Sequence, residues 1–148
     1  MPGADSAIAV LDASVAVKWI VTEDASKEAL ELFDRPVTWL APRLLLVEAA
    51  SALRRKVAQK ELSRHAASTD FTALLNAVHL GVILLAEDEE IVAAALSLAL
   101  MLDHRVPDCL YLALAEREGA ALATADARLA GLARSRNTAV LGVGAAAG

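Results

Sequence analysis

Apolar runs of strand length alternate with longer segments of helical period along this chain. Alternating strands and helices with short connections imply a parallel sheet that is covered by helices on both faces. We predict five strands, at 7–11, 37–40, 82–85, 120–124 and 139–143.

The segments of helical period lie between these runs. Pro42 and Pro107 suit the first turn of a helix, and Gly81 and Gly119 suit helix ends. The pattern predicts one α/β domain over residues 1–148, a three-layer α/β/α sandwich with a central parallel sheet of four to five strands and a frayed tail at 144–148. Helices are predicted at about 13–20, 25–34, 43–59, 64–79, 88–102, 108–118 and 127–134.

Composition restricts the class of protein further. Hydrophobic residues make up 57% of the chain and aromatic residues only 3%, which favours alanine- and leucine-rich helices packed on a sheet. The longest nearly apolar stretch, 91–102, has 12 residues, whereas a membrane span needs ~20. With no basic segment before an apolar one at the N-terminus, we expect no secretory signal and a cytoplasmic location. The single cysteine, Cys109, excludes an internal disulfide and a cysteine-based zinc cluster.

The net charge of −5 argues against a protein that grips nucleic acid non-specifically, because such proteins are usually basic. The negative net charge counts less against nucleic-acid binding if several of the 19 acidic residues serve one cation site. Their positions along the chain therefore matter more than their sum.

Two of the acidic residues follow predicted strands. Asp12 ends the first strand, and Asp126, in "LATAD", follows the fourth. Ligands of open parallel sheets bind outside the carboxyl ends of the strands, so both carboxylates are predicted at one edge of the sheet. Either residue alone could equally be a helix cap.

Two further acids stand in predicted helices. Glu48 is the only acid in the stretch 43–60 and has apolar neighbours on both sides, where an unpaired carboxylate is rare. Asp108 follows Pro107 at a helix start, where the helix dipole favours negative charge. A salt bridge from Glu48 to Arg54, Arg55 or Lys56, and a plain first-turn role for Asp108, are the alternatives.

The combination of four acids points to a cation. Carboxylates brought together raise one another's pKa and destabilise a fold unless a cation lies among them. Oxygen ligands are those that Mg²⁺ and Mn²⁺ prefer, and such ions can activate water and neutralise a phosphate under attack. The sequence thus predicts a metal site for phosphate chemistry.

The same four segments resemble the PIN-domain family, and in particular the VapC-type toxins of bacterial toxin–antitoxin pairs. In chain order they are "VLDASV", "LVEAASALRR", "HRVPDCLYLALAEREGA" and "LATADARLA", and the resemblance spans residues 8–143. Departures from the family pattern are Cys109 after the third acid, where Ala is usual, and Pro107, where an aromatic residue is frequent. Four short motifs in the correct order are more specific than any one of them.

The resemblance implies a metal-dependent endoribonuclease that cleaves RNA with one or two Mg²⁺ or Mn²⁺ ions held by Asp12, Glu48, Asp108 and Asp126. It implies that Ser14 and Thr124 support the site by orienting carboxylates or water. It further implies a cognate antitoxin and a homodimer. A non-catalytic PIN-like module that binds RNA or protein is the alternative.

An RNA substrate would need positive charge near the acids, and the residues after Glu48 supply it. Arg55 lies two helical turns further on, on nearly the same face, and is the candidate substrate contact, with a solvated surface arginine as the alternative. Arg54 and Lys56 are predicted to point away from Glu48. His104 could reach Asp108.

Other enzyme classes lack their motifs in this chain. The absence of a Gly-Lys-Ser/Thr loop argues against P-loop NTPases, and the absence of Gly-x-Ser-x-Gly argues against serine hydrolases. The absence of any lysine after Lys60 argues against haloacid-dehalogenase-like phosphatases and receiver domains.

Overall fold

A computed structural model describes residues 7–86 and 88–148 of the chain. The described residues form five strands and seven α-helices. In chain order these are β1 (Ala7–Leu11), α1 (Ala13–Ile20), α2 (Ser26–Phe33), β2 (Val37–Ala41), α3 (Leu44–Ala58), α4 (Arg64–His79), β3 (Ile83–Leu85), α5 (Glu89–Leu102), α6 (Val106–Glu118), β4 (Ala121–Thr124), α7 (Ala127–Ser135) and β5 (Val140–Gly142).

All five strands are parallel and lie in one sheet in the order β3-β2-β1-β4-β5. The strand order therefore reverses at β1, which pairs with β2 on one side and with β4 on the other. The ladder continues past the last strand residue, because the Asp12 N–H donates to the Ala123 carbonyl at 3.0 Å. The sheet thus places the carboxyl ends of β1 and β4 side by side at its switch point, the usual ligand position in open parallel sheets.

The core lies between this sheet and the helices, as the apolar strands require. The last three residues of β1 are at most 1% exposed, and the whole run from Cys109 to Ala115 in α6 is buried. A helix that is buried nearly all round is apolar nearly all round, which explains why α6 has no polar face in the sequence. The α/β fold class predicted from the sequence is confirmed.

Most predicted elements agree with the structure to within two residues. The sixth helix begins at Val106 and not at 108, because Arg105 takes the extended N-cap conformation and Pro107 fits the first turn. No helix among the described residues is long and apolar enough to cross a membrane.

The C-terminal segment differs from the predicted frayed tail. Gly144–Ala146 forms a 3₁₀ turn whose Ala146 is 1% exposed, and the Ala146 carbonyl accepts a hydrogen bond from Arg134 at 2.8 Å. The Gly144 N–H donates to Glu28 at 3.0 Å. A Cβ at Gly142 would lie 2.1 Å from the Ala146 carbonyl oxygen, so the close return of the chain needs glycine there.

Candidate active site

A cavity of about 700 Å³ lies where β1 and β4 end. Side chains from these strand ends and from α1, α3 and α6 line it. The structure brings all four sequence-predicted carboxylates to this one cavity, which we call the acidic cavity: Asp12, Glu48, Asp108 and Asp126.

Asp12 is the most deeply placed of the four, at 7% exposure. Its Oδ2 atom accepts hydrogen bonds from Ser14 Oγ at 2.6 Å and from Thr124 Oγ1 at 2.8 Å. It makes no side-chain cap to α1, so its position is not explained as a helix cap. The carboxylate is instead turned toward the two hydroxyls at the end of β4.

Backbone amides fix the direction of these two hydroxyls. The N–H of Ala125 donates to Ser14 Oγ at 2.9 Å, and the N–H of Asp126 donates to Thr124 Oγ1 at 3.0 Å. A hydroxyl that accepts from a backbone N–H keeps its single proton for another acceptor. Both protons therefore point to Asp12, which favours its charged form.

Burial nevertheless raises the pKa of Asp12, from 3.8 to about 6. The hydrogen bonds from Ser14 and Thr124 lower it, while the negative charges of Glu48 and Asp108 add to the rise. Asp12 thus carries its charge at neutral pH against an opposing environment. A cation beside Asp12 would stabilise the charged carboxylate and lower its pKa again.

Glu48 accepts a hydrogen bond from a residue that the sequence analysis missed. Tyr111 of α6 is fully buried, and its hydroxyl donates to Glu48 Oε1 at 2.6 Å. Burial, together with the charges of Asp12 and Glu48, raises the pKa of Tyr111 far above its usual range, so the hydroxyl remains a donor. Among the described residues no arginine or lysine forms a salt bridge with Glu48.

Replacing Tyr111 by Phe keeps the ring and removes only this hydrogen bond. We expect Tyr111→Phe to lower the free energy of unfolding by about 1.5 kcal/mol, the low end for a bond to a charged group, because the half-buried Glu48 can regain water. Urea unfolding at pH 7 measures the loss. In a Glu48→Ala background the same change should cost less, and an equal cost in both backgrounds would contradict the contact.

Asp108 lies in the first turn of α6 and is 17% exposed. His104 Nε2 lies 3.0 Å from Asp108 Oδ2, so the histidine does reach this carboxylate from the loop before the helix. Asp103, the other acid of that loop, is exposed and does not line the cavity.

Asp126 combines two roles that the sequence left as alternatives. Its Oδ1 atom accepts hydrogen bonds from the N–H groups of Arg128 and Leu129, at 2.9 and 3.2 Å, and so caps α7. The residue also lines the acidic cavity and is exposed. Both capping hydrogen bonds go to Oδ1 of Asp126, and neither uses Oδ2.

Cations line the cavity beside the acids. Arg55 lies there, as expected, and is exposed. The prediction that Lys56 points away was wrong: its long side chain lines the same cavity and pairs with Glu23, which also lines it. Lys18 and Arg105 complete the set. The cavity therefore offers buried negative charge together with surrounding positive charge.

The four acids fit a hard divalent cation in type, since every donor is a carboxylate oxygen. In residues 7–86 and 88–148, however, no three His, Cys, Asp or Glu side chains are arranged so that they could hold an ion where they now stand. The ligands would have to draw together around it.

Comparisons with solved structures agree on the fold. VapBC2 from Rickettsia felis, solved with a DNA fragment from its promoter, is 17% identical with a TM-score of 0.63, over 92% of this chain and 98% of that one. VapC20 from Mycobacterium tuberculosis, described as a sarcin–ricin loop cleaving toxin, is 16% identical with a TM-score of 0.66, over 84% and 94%. A toxin–antitoxin complex from Klebsiella pneumoniae is 16% identical with a TM-score of 0.56, over 81% and 88%.

Of the two sequence comparisons, only the one with family profiles finds a match. No curated protein matches the chain significantly. The family profile of the PIN domain matches residues 9–135, a range that contains all four acids of the cavity and both hydroxyls at Asp12. Profile, strand order and the placement of the acids agree with the resemblance drawn from the four motifs, and the chain belongs to the PIN-domain family.

Proposed function

We propose that this protein is a metal-dependent endoribonuclease and the toxin of a type II toxin–antitoxin pair. The observation that carries the proposal is Asp12, a buried carboxylate with a raised pKa that shares one cavity with Glu48, Asp108 and Asp126. VapC20, which has the same fold, is described as a sarcin–ricin loop cleaving toxin. RNA phosphodiesters are therefore the proposed substrate.

The four acids would hold one or two Mg²⁺ or Mn²⁺ ions. When bound, such ions supply an activated water and neutralise charge on the phosphate under attack. Ser14 and Thr124 hold Asp12 in place through its Oδ2 atom. Tyr111 does the same for Glu48 through Oε1, so that the opposite oxygen of each carboxylate is left for an ion.

Arg55 and Arg105 supply the positive charge that an RNA strand needs. Both line the acidic cavity and both are exposed, so they can meet phosphates that arrive from solvent. Arginine presents several donors in a fixed plane, which suits phosphate oxygens. We assign Arg55 to a flanking phosphate contact.

The antitoxin would bind beside the acidic cavity. An apolar hollow of about 420 Å³ lies between α3 and α4, lined by Leu46, Val47, Ala50 and Phe71 among others. Ser51 lines both this hollow and the acidic cavity, so the two are adjacent. A partner segment with an apolar side for the hollow and a basic end for the carboxylates would cover both.

A homodimer is the second proposed assembly. Val92, Leu96 and Leu100 recur every four residues along α5 and are 46%, 51% and 75% exposed. Met101 beside them is 63% exposed. A stripe of this kind on a helix is typical of an interface, and a second copy of the chain would bury it.

Cleavage of single-stranded RNA tests the proposal, with Mn²⁺ present and then removed by a chelator. Cleavage that requires the metal is the expected result. The alternative, a PIN module that binds RNA or protein without cutting it, draws support from the spacing of the acids. It predicts RNA binding with no metal-dependent cleavage.

A further inference from the structure

Two lysines share one carboxylate in the acidic cavity. Lys18 Nζ, from the last turn of α1, lies 3.2 Å from Glu23 Oε1, and Lys56 Nζ, from the last turn of α3, bonds to Glu23 Oε2. All three side chains line the acidic cavity and are 14–21% exposed. Two ammonium groups that bracket the two oxygens of a carboxylate are also placed to bracket two oxygens of a phosphate.

Glu23 is charged in this position. Burial alone would raise the pKa of Glu23, but the hydrogen bonds from Lys56 and Lys18, with the charges of both lysines, hold it below its usual range. The carboxylate therefore neutralises Lys18 and is the nearer of two negative partners of Lys56, whose Nζ also lies 3.7 Å from Oε2 of the exposed Glu61. An RNA phosphate that approached them would meet a negative charge already in place.

The loop that carries Glu23 is fixed independently of its carboxylate. Ser26 Oγ accepts from the Glu23 N–H at 2.9 Å and donates to the Val21 carbonyl at 3.0 Å. Ala25 closes the loop with a left-handed φ of 65°. Because the backbone has its own hydrogen bonds, the carboxylate can leave the lysines by rotation of the side chain alone.

We propose that Lys18 and Lys56 form a binding site for an RNA phosphate next to the one that is cleaved, and that Glu23 occupies this site in the free protein. RNA then binds by displacing the Glu23 carboxylate. The inference rests on the proposed function, since it assumes RNA in the same cavity. RNA carries a phosphate at every nucleotide, so a strand that places one phosphate at the acids places its neighbours at the surrounding cations.

The test measures RNA binding without catalysis. A fluorescein-labelled single-stranded oligoribonucleotide is titrated with protein in EDTA at several salt concentrations, and its anisotropy is followed. We expect Glu23→Gln to bind about fivefold more tightly than wild type, the size expected from freeing a partly exposed ion pair. Glu31→Gln is the matched control: it makes the same charge change on an exposed residue of α2 outside the cavity and should leave affinity nearly unchanged.

Removal of the lysines supplies the second arm. Changing Lys18 and Lys56 to Gln in the Glu23→Gln background should abolish the gain in affinity. It should also lower the slope of log affinity against log salt by about 0.7, the value for one phosphate contact to a single strand. Lys18→Gln alone, which leaves the Lys56–Glu23 pair in place, should weaken binding.

A Glu23→Gln variant that binds RNA no better than wild type would overturn the inference and make Glu23 a structural ion-pair partner. Unchanged binding by Lys18→Gln would overturn it as well, even if Glu23→Gln failed to fold. If wild type cleaves RNA with Mn²⁺ but Glu23→Gln does not bind RNA more tightly, only this inference fails and the proposed function stands. The gain in affinity without cleavage by wild type would remove only the proposed function.

Discussion

At pH 8 and without divalent metal, the Asp12→Asn variant should unfold at a higher temperature than the wild-type protein, by roughly 6–12 °C. The reason is the raised pKa of Asp12, about 6 in the folded protein against 3.8 for an unperturbed carboxyl. A difference of this size corresponds to a stability cost on the order of 3 kcal/mol once both states are ionised. Asn carries no charge and avoids the cost, and its amide oxygen can still accept from Ser14 and Thr124.

The pH dependence has a definite sign. Because the folded protein binds the Asp12 proton more tightly than the unfolded chain, this residue's contribution is fully present below about pH 4 and is lost as pH rises through 6. The advantage of the Asp12→Asn variant should therefore grow between pH 4 and pH 7 and then level off. Thermal unfolding in EDTA across this range measures it.

Asp34→Asn is the control for this measurement, since it removes one exposed carboxylate at the end of α2. It should change the unfolding temperature little and without a comparable pH trend. An Asp12→Asn variant that is less stable than wild type at pH 8 by the same margin as at pH 4 would contradict the account of a strained carboxylate.

Mn²⁺ should offset the loss of stability that the ionised Asp12 carboxylate causes in the wild-type protein. At a concentration one hundred times its dissociation constant, a bound ion adds about 2.7 kcal/mol to the free energy of unfolding. Loss of a residue that only orients a metal ligand typically lowers metal affinity by roughly 10- to 100-fold. Removal of Asp108, a proposed ligand itself, should lower the affinity for Mn²⁺ at least as much. At the concentration that gives wild type about 2.7 kcal/mol, Asp108→Asn should therefore keep only about 0.4–1.4 kcal/mol of Mn²⁺ stabilisation.

Calorimetric titration of Mn²⁺ into wild type and Asp108→Asn measures this loss directly. Asp103→Asn is the matched control, because Asp103 is an exposed acid five positions earlier that lies outside the cavity. Its left-handed φ of 50° suits asparagine as well as aspartate. Equal weakening by both variants would mean that general negative charge, and not a site at Asp108, attracts the ion.

The sequence was sufficient for the parts of the site that topology controls. Asp12 and Asp126 each follow a buried strand, and parallel strands bring their carboxyl ends to one edge wherever the helices lie. The apolar surroundings of Glu48 and the helix start at Asp108 marked the other two acids. Topology placed only the first two at one edge, and the resemblance to the PIN-domain family joined Glu48 and Asp108 to them.

Contacts between distant segments could not be read in the same way. Tyr111 and Glu48 are 63 positions apart, and Lys56 and Glu23 are 33 apart, so neither pair has a local pattern. The single tyrosine in the otherwise apolar run of α6 was the one available signal, because a buried hydroxyl needs a partner. The C-terminal turn depends on Arg134 and Glu28 side chains and was likewise invisible in its own composition.

A metal-dependent nuclease site at the four acids is tested most directly by the rate at which this protein cleaves a labelled single-stranded RNA, in wild-type form and as Asp108→Asn, with Mn²⁺ and with EDTA. We expect cleavage by wild type only when Mn²⁺ is present, and a rate at least about 100-fold lower for Asp108→Asn. Asp103→Asn should cleave as wild type does. Cleavage that persists in EDTA, or that is unchanged in Asp108→Asn, would contradict a metal-dependent nuclease site at these four acids.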